Sequence, residues 1–452
     1  MNDRTPFRAP GPFRSVLVAS LLIAMVQSSS QAQPGPKAQR LRVSADRRYL
    51  VDGDGKPFFV MGDTPWFLQK RTIDEVRLIM DDRVAKGFNT LFLELLDDSR
   101  IPSRDAHGNI AFDPETDITK PVEAYWKYAD DVLEEAEKRG LHVIMSGLWY
   151  GAGKGLWMHH VTPESARVYG AFLGRRYARF GNLMWMQAGD RNPDARLLEC
   201  TRALATEVRK AAPDQLQTVH NAHEFPSAAF HHEDPWLDVN MGYTYGASYL
   251  QVLKEWRRDG PVRPVILGET GYEGEPNAIH LLPDAKAGDL WTPYRIRRNA
   301  WWAVTSGAVG YCAGTRLWRW EPNWKQTLQA RSVREAPNIL KLMETISWWK
   351  LVPDIDHRFV IDGFGTWKGA DYATAALGSD GSCGLVYLPS RRTFTVDRAH
   401  LNVGTHAHWF DPTDGRFLPA DGRRDENARE RFMSPDQNAA GGQDWVLVFR
   451  AS

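Results

Sequence analysis

Several things are scarce in this 452-residue sequence, and each scarcity removes a class of function. There are three cysteines, Cys200, Cys312 and Cys383, too few and too widely spaced for a disulfide framework or a zinc ribbon, so at most one bridge can form. No charge of one sign dominates: Lys+Arg 56 balances Asp+Glu 56, which gives no electrostatic footprint for nucleic acid or another polyelectrolyte. No GxxxxGK[ST], HExxH or GxSxG pattern occurs, so phosphate-loop, zincin and hydrolase-elbow chemistry lack support. The histidines His159, His160, His220, His223, His231 and His232 cluster, yet no His-x-His pair follows the first strand as a metal-dependent barrel hydrolase would require. The expectation is no metal and no cofactor.

Long apolar runs are also missing. The one candidate, Val16–Val26, is shorter than the roughly 20 residues that span a bilayer. It follows Arg4, Arg8 and Arg14 and precedes Ser30-Gln31-Ala32, the small-x-small form of a signal-peptidase site. Residues 1–32 therefore read as a signal peptide with cleavage after Ala32, and the mature protein is expected to be exported, periplasmic or secreted, with no membrane attachment.

What the chain has in abundance is tryptophan, 18 against 14 tyrosines. Indoles fill cores, and they also stack on sugar rings; the count alone leaves both open. From Phe58 onward, short apolar runs alternate with amphipathic stretches, as parallel strands alternate with covering helices. Eight runs are found: Phe58–Met61, Thr90–Leu95, His142–Ser146, Leu183–Gln187, Gln217–His220, Val239–Met241, Val265–Leu267 and Ala308–Cys312. Helical patterns lie between them at Ile73–Lys86, Pro121–Arg139, Pro163–Phe180, Pro193–Ala211 and Tyr294–Ser306. The fold class expected is α/β, a (β/α)8 TIM barrel over residues 33–356. After the Leu351–Asp356 linker the helical period stops and strand-like runs appear at Tyr372–Leu377, Gly384–Leu388, Thr393–Val396, Ala407–Phe410 and Trp445–Phe449. Residues 357–452 are thus expected to form a small antiparallel β-sandwich, with Asp421–Gln443 as an exposed loop.

In a barrel of this kind the working residues stand at the C-terminal strand ends. That rule selects Asp63, Glu94, Trp149, Asp190, Asn221, Tyr243, Glu269 and Trp318. Glu269 ends the run Pro264–Gly268, so a buried strand delivers a charge to the barrel mouth, where desolvation is costly unless the charge is used or paired. Asp190 ends Leu183–Gly189; Asn192-Pro193 already supplies a cap and a first-turn proline for the next helix, which leaves Asp190 outside that cap. Glycosidic cleavage needs two such carboxyl groups, and strands four and seven offer them. Asp63, in Gly62-Asp63-Thr64-Pro65-Trp66, fits sugar-hydroxyl binding and a local turn equally well, and Glu94 fits a buried structural acid. Trp66, Trp149, Tyr150, Tyr243, Tyr245, Trp318 and Trp320 fall in loops at the same end, where stacking surfaces belong, each with core packing as the alternative.

These residues resemble a known family. Gly62-Asp63-Thr64-Pro65-Trp66, Gly87-Phe88-Asn89-Thr90, Ala188-Gly189-Asp190-Arg191-Asn192-Pro193, Gly268-Glu269 with Tyr272-Glu273, and Arg297-Arg298 are similar to the apiosidase-like glycoside hydrolases over roughly residues 40–350. Val386-Tyr387-Leu388-Pro389, Trp409-Phe410-Asp411-Pro412 and Asp444–Val448 resemble the small β domain, named for collagen binding, that often follows in that family. The resemblance implies a retaining-type glycosidase acting on pectic side chains, with Asp190 matching the acid/base and Glu269 the nucleophile. Substrate contacts are then expected from Asp63, Trp66, Trp149, Asn221, Tyr243, Tyr245, Tyr272 and Trp318, and the partner is an oligo- or polysaccharide. Thr270-Gly271 after the glutamate, Tyr243-Thr244-Tyr245-Gly246, and Tyr311-Cys312-Ala313-Gly314 depart from the family pattern, so the sugar bound is expected to differ from apiose more readily than the chemistry. A non-catalytic carbohydrate- or matrix-binding protein on a decayed barrel would have lost one carboxylate, and both are present.

Overall fold

The computed structural model describes residues 1–2, 38–97, 99–151, 155–256, 260–277 and 281–451; the expected export signal from residue 3 onward and its cleavage point lie outside the described residues. Eight parallel strands make one sheet: β1 (Val60–Asp63), β2 (Thr90–Glu94), β3 (His142–Ser146), β4 (Leu183–Ala188), β5 (Gln217–His220), β6 (Asn240–Tyr243), β7 (Val265–Glu269) and β8 (Ala308–Ala313). Their order is β5-β4-β3-β2-β1-β8-β7-β6. The gap between β5 and β6 is bridged by the N–H groups of Asp238 and Val239, both donating to Gln217 O (2.9 and 3.3 Å), so the barrel is nearly closed.

The strands read as continuous apolar runs because both faces are covered. Phe92, Ile144, Met184, Met186, Met241 and Leu267 share one apolar cluster. Their neighbours Leu91, Leu93, Val143, Met145 and Trp185 belong to a second, with the inner faces of the first four covering helices, while those of the last two fall in the first cluster. Helices α1 (Ile73–Lys86), α2 (Glu123–Lys138), α3 (Pro163–Tyr177), α4 (Ala195–Ala211), α5 (Ser248–Trp256) and α6 (Pro293–Val304) supply that cover. Local chemistry sets their ends: Thr72 and Glu75 form a capping box on α1, Gly87 ends it at φ 93°, and Pro163 and Pro293 open α3 and α6 behind capping threonines. The sequence reading missed α5, a nine-residue helix with no proline to announce it. It also placed the cap of α4 at Asn192-Pro193, whereas Asp194 caps the helix through Leu197 N–H (2.8 Å).

Beyond the barrel lie ten strands: β9 (Leu351–Pro353), β10 (Val360–Asp362), β11 (Thr374–Gly378), β12 (Cys383–Leu388), β13 (Thr393–Asp397), β14 (Thr405–Phe410), β15 (Phe417–Pro419), β16 (Arg423–Arg424), β17 (Arg429–Met433) and β18 (Trp445–Ala451). They form a six-stranded sheet, β9-β11-β12-β18-β14-β15, and a four-stranded sheet, β10-β13-β17-β16, all antiparallel. The stretch Asp421–Gln443, expected as a loop, contains β16 and β17. Its alternation was hidden because one buried position, Glu430, is a charge, held by Arg398 at 3.2 Å, while Phe432 fills the next.

Barrel and tail fall within one compact unit. Trp301 and Trp302 of α6 pack in the same cluster as Leu385, Tyr387, Phe410 and Val446 of the tail. Trp302 Nε1 donates to Tyr372 O (2.8 Å). Arg297 makes two bonds to Asp444 (2.8 and 2.7 Å) and one to Glu335 (2.5 Å), all buried. Most of the tryptophan excess is core: Trp126, Trp157, Trp185, Trp236, Trp291, Trp301, Trp302 and Trp445 are among the largest fully buried side chains.

Candidate active site

Glu269 is the last residue of β7, and a register irregularity against β6 between Leu267 and Glu269 re-aims it. Asp190 follows β4 on a tight bend: Ala188, Gly189 and Asp190 have φ of 61°, 143° and 54°. The glycine is required there, since a Cβ on Gly189 would stand 2.0 Å from the Trp149 ring. These two strand ends bring an oxygen of Asp190, an oxygen of Glu269 and a ring nitrogen of His220 within 4.8 Å of one another.

His220 ends β5 and its side chain is wholly buried. Its Nδ1 accepts the main-chain N–H of Asp190 (3.3 Å) and lies 3.8 Å from Asp190 Oδ1. Its Nε2 lies 3.0 Å from Glu269 Oε2, off the axis of a regular hydrogen bond. Trp149 and Tyr243 enclose the imidazole, with ring centroids 4.8 and 4.4 Å away. Burial holds His220 far on the neutral side, at about 4, against an opposing pull from Asp190. A protein-bound divalent ion would find three donors at this spacing, but Nδ1 is already occupied by an N–H and Nε2 is then the protonated nitrogen.

Glu269 keeps 7% of its surface exposed. Burial raises its carboxyl to about 8, a bond from Tyr272 opposes the rise and the charge of Glu275 adds to it. Tyr272 Oη donates to Glu269 Oε1 (3.0 Å) and accepts from Trp66 Nε1 (2.9 Å), so a neutral chain of donors orients the acid. Tyr243 Oη donates to Tyr245 Oη (3.1 Å), and burial together with Glu269 pushes both phenols well above their usual range.

Of the residues selected from sequence, Asp190, Glu269, Trp66, Trp149, Tyr243, Tyr245 and Tyr272 meet here. Trp149 is a buried wall rather than an open platform, 3% exposed, donating to Asp190 Oδ2 (3.4 Å) and packed on Trp66. Trp318 stands at the rim, half-buried, with Arg319 4.7 Å over its ring and its indole N–H donating to Glu275 (3.0 Å). Two expected contacts point elsewhere. Asp63, 1% exposed, is bonded to the fully buried Arg83 of α1 (2.6 Å), which docks that helix on the barrel. Asn221 donates to Pro226 O and Ser227 O (2.9 Å each) and braces its own loop. Sequence reasoning chose Asn221, one residue past β5, and left His220 aside. His220 is itself the polar end of that strand, which was the available signal.

The Apiosidase-like catalytic-domain family matches residues 44–350, and the family described as "Putative collagen-binding domain of a collagenase" matches residues 356–450. A solved glycoside hydrolase is similar at 26% identity, covering 92% of this chain and 97% of its own, with a TM-score of 0.79. A glycoside hydrolase family 5 structure from Bacteroides vulgatus shares the fold at 24% identity and TM-score 0.79, covering 92% of this chain and 95% of its own. No curated protein matches the chain.

Proposed function

The chain belongs to the apiosidase-like family of glycoside hydrolases, and on that footing we propose that it is a retaining glycosidase acting on an apiosyl or related furanosyl linkage of a pectic or similar plant polysaccharide. The observation that supports retention is the approach of one Asp190 oxygen and one Glu269 oxygen to within 4.8 Å. Retention needs carboxyl groups about 5–5.5 Å apart, whereas inversion needs about 6.5–9.5 Å to admit a water between acid and sugar.

In the reading we favour, Glu269 attacks the anomeric carbon while Asp190 protonates the departing oxygen; Asp190 then deprotonates the water that releases the sugar from Glu269. Exposure supports this division of labour. The acid/base must meet incoming water and the nucleophile must be shielded from it, and the side chain of Asp190 is 23% exposed against 8% for Glu269. The high Glu269 carboxyl favours a second reading, in which Glu269 is the proton donor and Asp190 the nucleophile. Azide rescue separates the two: it restores turnover of an activated aryl glycoside in the variant lacking the acid/base, expected for Asp190→Asn and not for Glu269→Gln. Proton NMR of the first-formed anomer tests retention itself, and an inverted product would sink it.

Export is proposed on the Arg-rich start and the Ser30-Gln31-Ala32 junction. Mass spectrometry of the secreted or periplasmic protein is expected to show Gln33 first, and a full-length cytoplasmic chain would count against it.

A further inference from the structure

His220 belongs to neither chemical role, yet its side chain reaches both catalytic carboxyl-bearing residues. It accepts the N–H of Asp190 at 3.3 Å and stands 3.0 Å from Glu269 Oε2. We propose that His220 is a positioning residue that sets the separation of the two carboxyl groups: Nδ1 holds the bend that carries Asp190, and the Nε2 proton faces Glu269. The inference rests on the retaining reading above.

The argument begins at the bend. A left-handed φ at a non-glycine residue costs free energy unless its surroundings impose it, and two such residues, Ala188 and Asp190, flank Gly189. The Asp190 N–H that this bend turns inward meets His220 Nδ1 as its acceptor. Accepting that bond fixes the tautomer, because a neutral imidazole with an acceptor Nδ1 carries its proton on Nε2. Nε2 has no aligned partner, although it is buried and within 3.0 Å of a carboxylate oxygen, so a small turn of Glu269 completes the bond. Tyr272 holds the other Glu269 oxygen, and Trp149 and Tyr243 pack against the imidazole at tilts of 45° and 39°. The carboxyl group thus sits among neutral donors. Neutral donors orient the nucleophile without quenching its charge, which a permanently charged arginine would do.

Two isosteric replacements in the full-length protein separate the halves of this role. In His220→Asn the amide oxygen stands near Nδ1 and still accepts the Asp190 N–H, but the donor to Glu269 is lost. In His220→Gln the amide nitrogen stands near Nε2 and still serves Glu269, but the acceptor for Asp190 is lost. His220→Asn is expected to lower turnover on the order of 10- to 100-fold with every leaving group and to move the acidic limb of the pH–rate profile upward. The groups facing Glu269, namely Tyr272, Tyr245 and Glu275, stay unchanged. His220→Gln is expected to leave that limb in place and to lose most on substrates whose leaving group needs protonation. Equal losses in both variants, with neither limb nor leaving-group dependence altered, would reduce His220 to packing and overturn the proposal. Should the variants not fold, nitrogen-15 NMR of the labelled wild-type imidazole decides: a neutral ring protonated at Nε2 from pH 5 to 9 supports it, and a proton on Nδ1 overturns it. If wild type hydrolyses no glycoside, the glycosidase reading fails, while the tautomer measurement still answers for the geometry.

Discussion

Asp444 and Glu269 are both carboxyl groups withdrawn from water, Asp444 completely and Glu269 to 7% exposure, but their company differs. Asp444 lies at the seam of barrel and tail, where Arg297 grips it through two nitrogens and Asn438 donates to Oδ1 at 2.8 Å. Glu269 lies at the barrel mouth with a phenol and an imidazole, both neutral, and a second acid, Glu275, near enough to raise it further. A buried carboxylate matched by a guanidinium is spent on holding two parts together. One buried among neutral donors keeps an unsatisfied tendency to accept a proton or a cationic centre, and that is the condition chemistry exploits. Asp63 sits on the structural side of this divide, since Arg83 holds it as Arg297 holds Asp444.

The contrast breaks first, if it breaks, on activity. Glu269→Gln is expected to cut turnover by more than about 10⁴-fold with every leaving group while leaving the melting temperature unchanged or higher, because it removes an attacking oxygen and a desolvated acid together. Thermal melts and steady-state kinetics on one preparation check both halves, and retained turnover would return Glu269 to structure. Arg297→Met should do the reverse. It strands Asp444 as a lone buried charge and is expected to cost roughly 3–5 kcal/mol in denaturant titration, with much of the loss recovered by adding Asp444→Leu. A stable single variant would mean that the seam does not depend on its ion pair.

The same contrast is sharpened by pH. If Glu269 works as an anion, its carboxyl at about 8 makes kcat/KM rise about tenfold per unit up to that region. Stability runs the other way. Between the ordinary glutamate value of 4.5 and about 8 the folded protein holds a proton that the unfolded chain has released, so stability falls as pH climbs through that window. Glu269→Gln is expected to lose this slope, which melting curves at pH 5 and 8 would show. The smallest effect belongs to the rim: Trp318→Ala should weaken substrate binding by roughly 1–3 kcal/mol, read as a rise in KM, with little change in melting temperature. A large loss of stability instead would assign Trp318 to the core with the other tryptophans.

Much of this was legible in the order of residues. The ends of all eight barrel strands lie within two residues of those of their apolar runs, and Ile73–Lys86 matches α1 end for end, because apolar period and capping are local properties. Asp190 and Glu269 could be chosen because a polar residue closing a buried run is itself a local signal. Besides α5 and the cap of α4, other features escaped. β17 was unreadable because a paired charge, Glu430, occupies a core position, and β16 because both of its residues are exposed arginines. Asp63 was left undecided because Arg83, the residue that engages it, comes twenty positions later with nothing in the sequence to join them. His220 was passed over because its importance is relational, lying in the distances to two other strands.

The sequence by itself determined the eightfold alternation, the strand ends and the acids they carry, since these follow from hydrophobic period and turn chemistry within short windows. Only the tertiary structure decided what each acid does. Asp63, Asp444 and Glu269 are all carboxylates in apolar surroundings, and their fates were set by whether the closing of the barrel and the docking of the tail brought an arginine, or only neutral donors, to within hydrogen-bond reach.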